Sequence, residues 1–312
     1  MATTNGTASP NARQLSAVDN LRKALSTPGE IVVAPGVYDG FTARIAVDAG
    51  HKCLYMTGAG VTMSRLGMPD LGVATLNDMR DSASVIASLD PSIPLIADAD
   101  TGYGGPLMVG RTVSQYIKAG VAALHLEDQV QTKRCGHLLG KQLVSEDEFV
   151  SRIRAAYLAR EREQGDIVLI ARTDALQSLG YDESRNRLKK AVAAGADVVF
   201  LEGITTKEQG RQICADLAPT PVLFNCVSGG VSPELSAAEA RELGFKIIIF
   251  PGFALLPVYE TVSRLAKRLV ETGTPSLSTQ NISPKKIFEV CGLKDCIAFD
   301  LAAGGKMYDS EI

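Results

Sequence analysis

Pro94-Leu95-Ile96-Ala97-Asp98-Ala99-Asp100-Thr101-Gly102-Tyr103-Gly104-Gly105 sets the pattern of the chain. A short apolar run leads into two acids one residue apart, a glycine-rich loop, and a helical pattern over Gly110–Ala119. The run does not alternate with polar residues, as expected of a parallel strand buried on both faces. The unit recurs at Ile31–Ala34, Cys53–Met56, Ala122–Leu126, Ile167–Ala171, Val198–Leu201, Pro221–Phe224 and Ile247–Phe250, making eight apolar runs in all. Leu15–Leu25 reads as a first helix. Further helical patterns cover Glu146–Glu163, Ser184–Ala194, Thr206–Leu217, Ser236–Leu243 and Pro257–Glu271. Gly120, Gly195, Gly244 and Gly273 stand where such helices stop.

Eight strand–helix units in about 250 residues match the size of a (β/α)8 barrel of the TIM type. The polar residues sharpen that reading. Tyr55, Thr57, Asp98, Asp100, Glu127, Arg172, Glu202 and Asn225 all sit at the trailing ends of apolar runs. In a barrel those ends converge on one mouth. In an open doubly wound sheet they would spread along an edge, and no GxGxxG follows any of the runs. The predicted organisation is a disordered tail over residues 1–14, a barrel over 15–273, and a linker and helical extension over 274–312. Ser283-Pro284 is a helix start. Ile287, Phe288, Val290 and Cys291 form an apolar face with no ninth strand to cover, so it should pack on another subunit or on the outer wall.

The composition excludes several classes. The chain has 312 residues, 46% hydrophobic and 21% charged, with a net charge of −3. That balance points to no nucleic acid and no anionic membrane surface. Tryptophan is absent, which argues against stacking platforms for bases. No apolar run approaches the roughly 20 residues needed to span a bilayer. The six cysteines form no CxxC pair, as in a reducing compartment. Met1–Arg13 has no apolar core and is no secretory signal. The expected location is cytoplasmic, with a weak mitochondrial presequence as the alternative.

Asp98 and Asp100 share one strand face by alternation. Two such acids repel unless a cation or proton separates them. With Glu127 on the next strand end, they suit a hard divalent ion such as Mg2+ or Mn2+. A solvated acidic edge or a helix cap is the plainer alternative. Arg172 is a natural partner for a substrate carboxylate, with an internal ion pair to Glu202 as the competing use. Asp70 either caps a helix or joins the acids. His125 reads as a packed, hydrogen-bonded core histidine. In Lys133-Arg134-Cys135-Gly136-His137 a thiol stands between cations and an imidazole. Positive charge favours the thiolate, and such a cysteine can pass a proton near neutral pH. The alternative is a solvated basic loop with an incidental cysteine.

From about Val33 to Ala266 the sequence resembles the isocitrate lyase / phosphoenolpyruvate mutase superfamily. The resemblance is carried by Ala34-Pro35-Gly36-Val37-Tyr38-Asp39-Gly40, Tyr55-Met56-Thr57-Gly58-Ala59-Gly60, Asp98 to Gly104, Glu127-Asp128-Gln129, Lys133 to His137, and Ala171-Arg172-Thr173-Asp174. The cysteine-bearing loop is similar to that of the carbon–carbon lyase branch. The resemblance implies a barrel assembled as a homotetramer whose C-terminal helices are exchanged between subunits. It implies Mg2+ near Asp98, Asp100 and Glu127. It makes Lys133–Lys141 a mobile lid bringing Cys135 over the substrate. Lys133, Arg134, Cys135, His137 and Tyr55 form the implied catalytic set. The resemblance places Thr57, Gly58, Ala59, Arg172 and Asn225 near the substrate, and Asp70, Gly136, Glu202 and Pro251 complete the expected substrate-binding set.

The implied reaction is cleavage of a small hydroxy- or oxo-diacid. Cys135 would protonate the departing carbon, with Tyr55 or a carboxylate acting through water as base. Departures from 2-methylisocitrate lyases bear on the substrate. Their lid continues differently where this chain has Leu138-Leu139-Gly140-Lys141, and Val227 stands where they carry a threonine. Losing that hydroxyl removes a donor for a third carboxylate. Oxaloacetate acetylhydrolases carry a serine where this chain has Pro251, which lacks a donor. The expectation is therefore a 2,3-dimethylmalate-like dicarboxylate yielding pyruvate. Oxaloacetate hydrolysis and 2-methylisocitrate cleavage remain alternatives, and Gly252 leaves the subclass open. A non-catalytic diacid-binding barrel is the reading from another class.

Overall fold

A computed structural model describes residues 15–136, 138–275 and 282–308. Eight parallel strands close in sequence order: β1 (Val32–Val37), β2 (Leu54–Met56), β3 (Leu95–Asp98), β4 (Ala123–Glu127), β5 (Val168–Thr173), β6 (Val198–Leu201), β7 (Val222–Asn225) and β8 (Ile247–Phe250), with β8 pairing back on β1. Each lies on one of the eight apolar runs. The fold is the (β/α)8 barrel expected from them.

Among the described residues twelve α-helices accompany the strands: α1 (Ala17–Ser26), α2 (Gly40–Asp48), α3 (Gly58–Val61), α4 (Leu76–Ser88), α5 (Pro106–Lys118), α6 (Glu146–Arg162), α7 (Leu176–Ala193), α8 (Lys207–Leu217), α9 (Ala237–Leu243), α10 (Leu255–Thr272), α11 (Pro284–Val290) and α12 (Leu293–Ala302). Local chemistry fixes their ends. Ser16/Asp19, Thr75/Asp78 and Ser236/Glu239 form capping boxes. Gly120, Gly195, Gly244 and Gly273 all take positive φ where helices stop. Three differences from the sequence reading stand out. α2 and α4 were not foreseen, although Asp39 and Thr75 cap them. α5 starts earlier than Gly110 because Pro106 occupies its first turn. α7 also starts earlier, and is interrupted at Gly180 (φ 82°).

Side-chain parity builds two cores. One set fills the barrel: Val32, Ala34, Tyr55, Ile96, Ala123, Val168, Ile170, Val198, Phe200, Leu223, Ile247 and Ile249, with Leu21 of α1 at its base. The opposite set, such as Leu95, Ala97, Leu124, Leu126 and Leu169, packs against the helices. Continuing the inward parity to the strand ends gives Gly36, Thr57, Asp98, Glu127, Arg172, Glu202, Asn225 and Pro251. Gly36 has no room for a side chain. A Cβ there would lie 2.5 Å from the Pro251 carbonyl oxygen and 2.7 Å from that of Phe250.

Among the described residues of the C-terminal extension, α11 and α12 bury none, and neither does α10. Gly292, between α11 and α12, lies beside Arg44 of α2. Residues 1–14 and 276–281, which carry the expected tail and most of the linker, are outside the described residues.

Candidate active site

Inward parity turns the polar side chains at the strand ends into the mouth, above an apolar barrel interior. Asp98 (β3) pairs in register with His125 (β4), and Glu127 with Arg172 (β5). Asp98 and Asp100 are nearly buried and Glu127 is fully so. Asp100 follows the strand end at φ 46°, a left-handed conformation that costs a non-glycine residue energy. The Asp98 Oδ1 accepts the Asp100 N–H (2.8 Å), and Tyr116 donates its hydroxyl to the Asp98 carbonyl (2.8 Å). These bonds hold the turn in place.

Burial dominates the charge states here. It raises the carboxyls of Asp98, Asp100 and Glu127, with Lys133 pulling the other way at each; Asp100 is pushed up to about 7. Among the described residues neither oxygen of Glu127 has a hydrogen-bond partner, whereas Asp100 Oδ1 meets the Lys133 ammonium. Arg172 Nη1 comes only to 3.4 Å of Glu127. His125 is buried, and burial, with Arg172 and Lys133, pushes it well down, so it is neutral. Its Nε2 pairs with the Tyr55 hydroxyl at 3.0 Å. Burial and then Asp98 push the Tyr55 phenol well up, so Tyr55 is a hydrogen-bonding neutral phenol.

Across the mouth Arg172 is enclosed. Asp174 takes its Nε (2.9 Å) and Nη2 (3.1 Å), and Glu202 stands 3.5 Å from Nη2. The guanidinium also lies over the Phe200 ring, 5.1 Å from its centroid. The Glu202 pairing anticipated from sequence exists but is the longer one; the fork goes to Asp174. Asn225 donates to Glu202 Oε2 (3.0 Å), and its own Oδ1 has no hydrogen-bond partner among the described residues. Thr57 caps α3, accepting the Gly60 N–H at 3.4 Å. Gly58 brings the backbone so close to Asp98 that a Cβ would collide with the carboxylate. Ala59 is half-buried beside it.

The cysteine loop is docked on this mouth. Lys133, 3% exposed, pairs with Asp70 Oδ1 (2.8 Å) and Asp100 Oδ1 (2.5 Å). Asp70 therefore joins the acids through Lys133. At Gly136 a Cβ would sit 2.5 Å from Arg172 Nη2 and 2.8 Å from Glu202 Cγ, so the loop backbone rests directly on both side chains. Cys135 is half-buried next to that contact and is not in a disulfide. Arg134 is exposed and gives its guanidinium to the Leu139 carbonyl (3.0 Å). Beside their place next to the thiol in sequence, Lys133 pairs with desolvated acids and Arg134 with a backbone carbonyl. His137 lies outside the described residues.

The phosphoenolpyruvate phosphomutase family profile matches residues 21–270 of the chain. The chain belongs to that family. A crystal structure of 2,3-dimethylmalate lyase, described as a PEP mutase/isocitrate lyase superfamily member, is 54% identical, with TM-score 0.93 over 96% of this chain and 99% of its own. An oxaloacetate acetylhydrolase solved with 3,3-difluorooxalacetate is 53% identical, with TM-score 0.92 over 94% and 99%. The 2,3-dimethylmalate lyase of Eubacterium barkeri is 42% identical over 231 residues, 74% of this chain and 78% of its own. A phosphonopyruvate hydrolase solved with oxalate and Mg2+ is 26% identical, with TM-score 0.80 over 95% and 100%. Within the superfamily the chain is an enzyme, a carbon–carbon lyase.

The family's divalent ion can be tested against these residues. Among the described residues no three acid, histidine or cysteine side chains converge as a ready-made metal cluster. The donor set still fits a hard cation. Both Glu127 carboxylate oxygens are desolvated and lack a hydrogen bond among the described residues, Asp100 already draws the Lys133 ammonium as a counter-cation, and Asp98 stands beside it, bonded to the Asp100 N–H. Mg2+ commonly takes only one or two carboxylates and keeps its waters.

Three partners of this superfamily site had no assigned role from sequence. Asp174 orients Arg172. Gln129 grips Arg134 at both its N–H (3.1 Å) and carbonyl (2.9 Å). Lys141 donates to the Gly136 carbonyl (2.7 Å) and to Asp174 (3.0 Å). Asp174 alone was signalled, as an acid two residues beyond an arginine on a strand end.

Proposed function

We propose that the protein is a Mg2+-dependent lyase that splits C2–C3 of a 2-hydroxy dicarboxylate of the 2,3-dimethylmalate type, giving pyruvate and a short carboxylic acid. The observation that carries this reading is the docked loop, with Gly136 on Arg172 and Glu202 and Cys135 beside it. In this reading the Cys135 thiol serves a mouth with acids on one wall and a guanidinium on the other.

Bound by Asp98, Asp100 and Glu127, Mg2+ or Mn2+ supplies Lewis-acid stabilisation of negative charge at the substrate's C2 oxygen. Arg172 presents its Nη1 edge to a substrate carboxylate, since Asp174 holds the Nε–Nη2 edge. Asn225 Oδ1 and the Gly58-Ala59 backbone add hydrogen-bonding positions. Tyr55, a neutral phenol, bonds the C2 oxygen and leaves the base role to a carboxylate acting through water. That base takes the hydroxyl proton as the C2 carbonyl forms. The C2–C3 electron pair passes to the departing carbon, and the Cys135 thiol protonates it. Lys133 offsets the acids' charge, and His137 completes the catalytic set.

Oxaloacetate hydrolysis is the second reading, favoured by near-equal similarity to an oxaloacetate acetylhydrolase. Pro251 orders it second, because that rim position carries no hydroxyl to bond a hydrated ketone. A parallel product assay with Mg2+ separates the readings. Pyruvate from 2,3-dimethylmalate should exceed oxalate from oxaloacetate, or pyruvate from 2-methylisocitrate, at least tenfold in kcat/KM. Dominant oxalate formation would reverse the order. No turnover of any of the three would favour a diacid-binding barrel.

The assembly we propose is the helix-exchanged homotetramer. Its support is that α10, α11 and α12 bury nothing in one chain while Val262, Phe288 and Phe299 stay exposed. Sedimentation should give about four times the 33.1 kDa chain mass; a monomer would remove this reading. No helix among the described residues is long and apolar enough to cross a membrane.

A further inference from the structure

The loop that carries Cys135 is held at both ends by a buried lysine. Lys133 grips acids on the β3 side of the mouth. Lys141 grips the β5 side, and it touches none of the acids proposed to hold the metal. Its side chain is 2% exposed. Its ammonium donates to the Gly136 carbonyl inside the loop and to Asp174 Oδ1 on the barrel.

Asp174 is a rigid anchor. Its N–H is bonded to Asp128 Oδ1 (2.9 Å), and Asp128 is fixed in turn by Thr173 (2.6 Å) and Arg187 (3.2 Å). Burial alone would raise the Asp174 carboxyl, but Arg172 and Lys141 hold it down at about 2, so it stays anionic between two cations. One carboxylate thus ties the loop to the arginine facing the substrate.

We propose that Lys141 is a positioning residue of the proposed lyase. It latches the Cys135 loop onto the mouth through Gly136 and, through Asp174, keeps the Nη1 edge of Arg172 turned to the substrate. This rests on the lyase reading for its effect on turnover, but not for the latch. A buried ammonium cannot leave one partner without finding another or reaching water. The loop therefore opens and closes as a unit with Lys141. A placement error of about 1 Å in the thiol is enough to slow chemistry about 100-fold.

The test is Lys141→Met, with Lys141→Gln as a milder variant that keeps a donor but no charge. Amide hydrogen exchange over residues 133–141, without substrate, reports the latch. In K141M that segment should exchange at least about tenfold faster, with K141Q in between, while β5 and β6 keep their protection. On the best diacid of the panel, kcat should fall about 100-fold, and by more than KM rises. A merely structural role would loosen the barrel as a whole and lower the melting temperature without singling out the loop. Unchanged loop exchange in K141M overturns the proposal, whatever happens to turnover. If K141M does not fold, the same exchange criterion applies to K141Q. If the wild type turns over none of the diacids, the lyase reading fails while the exchange result still decides the latch.

Discussion

Cys135→Ser should lower kcat by about 10^2–10^4-fold while leaving Mg2+-dependent diacid binding within a few-fold of wild type. A general acid in this position contributes about that factor. The substitution keeps the size and a hydroxyl, yet a serine hydroxyl is a far weaker acid than a thiol. Binding survives because the groups expected to hold the diacid, Arg172, Asn225 and the acids with their metal, are untouched. Turnover gives the first quantity, and calorimetric titration of the diacid gives the second. Undiminished turnover would remove Cys135 as proton donor. Equal loss of binding would make the residue a structural part of the loop.

Chelation should abolish turnover, and Mg2+ or Mn2+ should restore it. A pH signature should accompany this. Burial raises the folded-state carboxyls of Asp98, Asp100 and Glu127, Asp100 to about 7, above an unfolded value near 4. Between those values the folded metal-free protein binds more protons than the unfolded chain. Its stability should therefore fall as pH rises from about 4 to about 7. A bound cation replaces the protons, so Mg2+ should raise the melting temperature more at pH 8 than at pH 5. Glu127→Gln should lessen that dependence, because a neutral amide needs neither proton nor metal. Thermal melts of metal-free and Mg2+-loaded protein across this range check each statement. Full activity in excess chelator, or a metal shift independent of pH, would count against the acidic cluster as the metal site.

The residues of the mouth were legible because parity is a local property. A strand shows alternate side chains to opposite faces, so Asp98, Glu127, Arg172, Glu202 and Asn225 at strand ends can be assigned to one opening from spacing alone. Asp70 was ambiguous because its partner, Lys133, is remote in sequence. Which anion holds Arg172 was also beyond reach. Asp174 and Glu202 both lie within range of a long guanidinium, and only the turn after β5, anchored through Asp128, sets Asp174 on its fork. The early start of α7 was hidden by Gly180, which breaks the helical pattern in sequence as it breaks the helix in space.

The order of eight buried apolar runs, the glycine stops and the acids at their ends determined the barrel and its chemistry-bearing rim. Strand pairing follows chain order here, and burial follows composition. Tertiary structure alone decided that the Cys135 loop lies down on the rim, that Lys133 and Lys141 pin it to opposite sides, and that Asp174 takes the Nε–Nη2 edge of Arg172. Those contacts join segments far apart in the chain. Their strength comes from excluding water around charges, and no spacing of residues along a sequence encodes that directly.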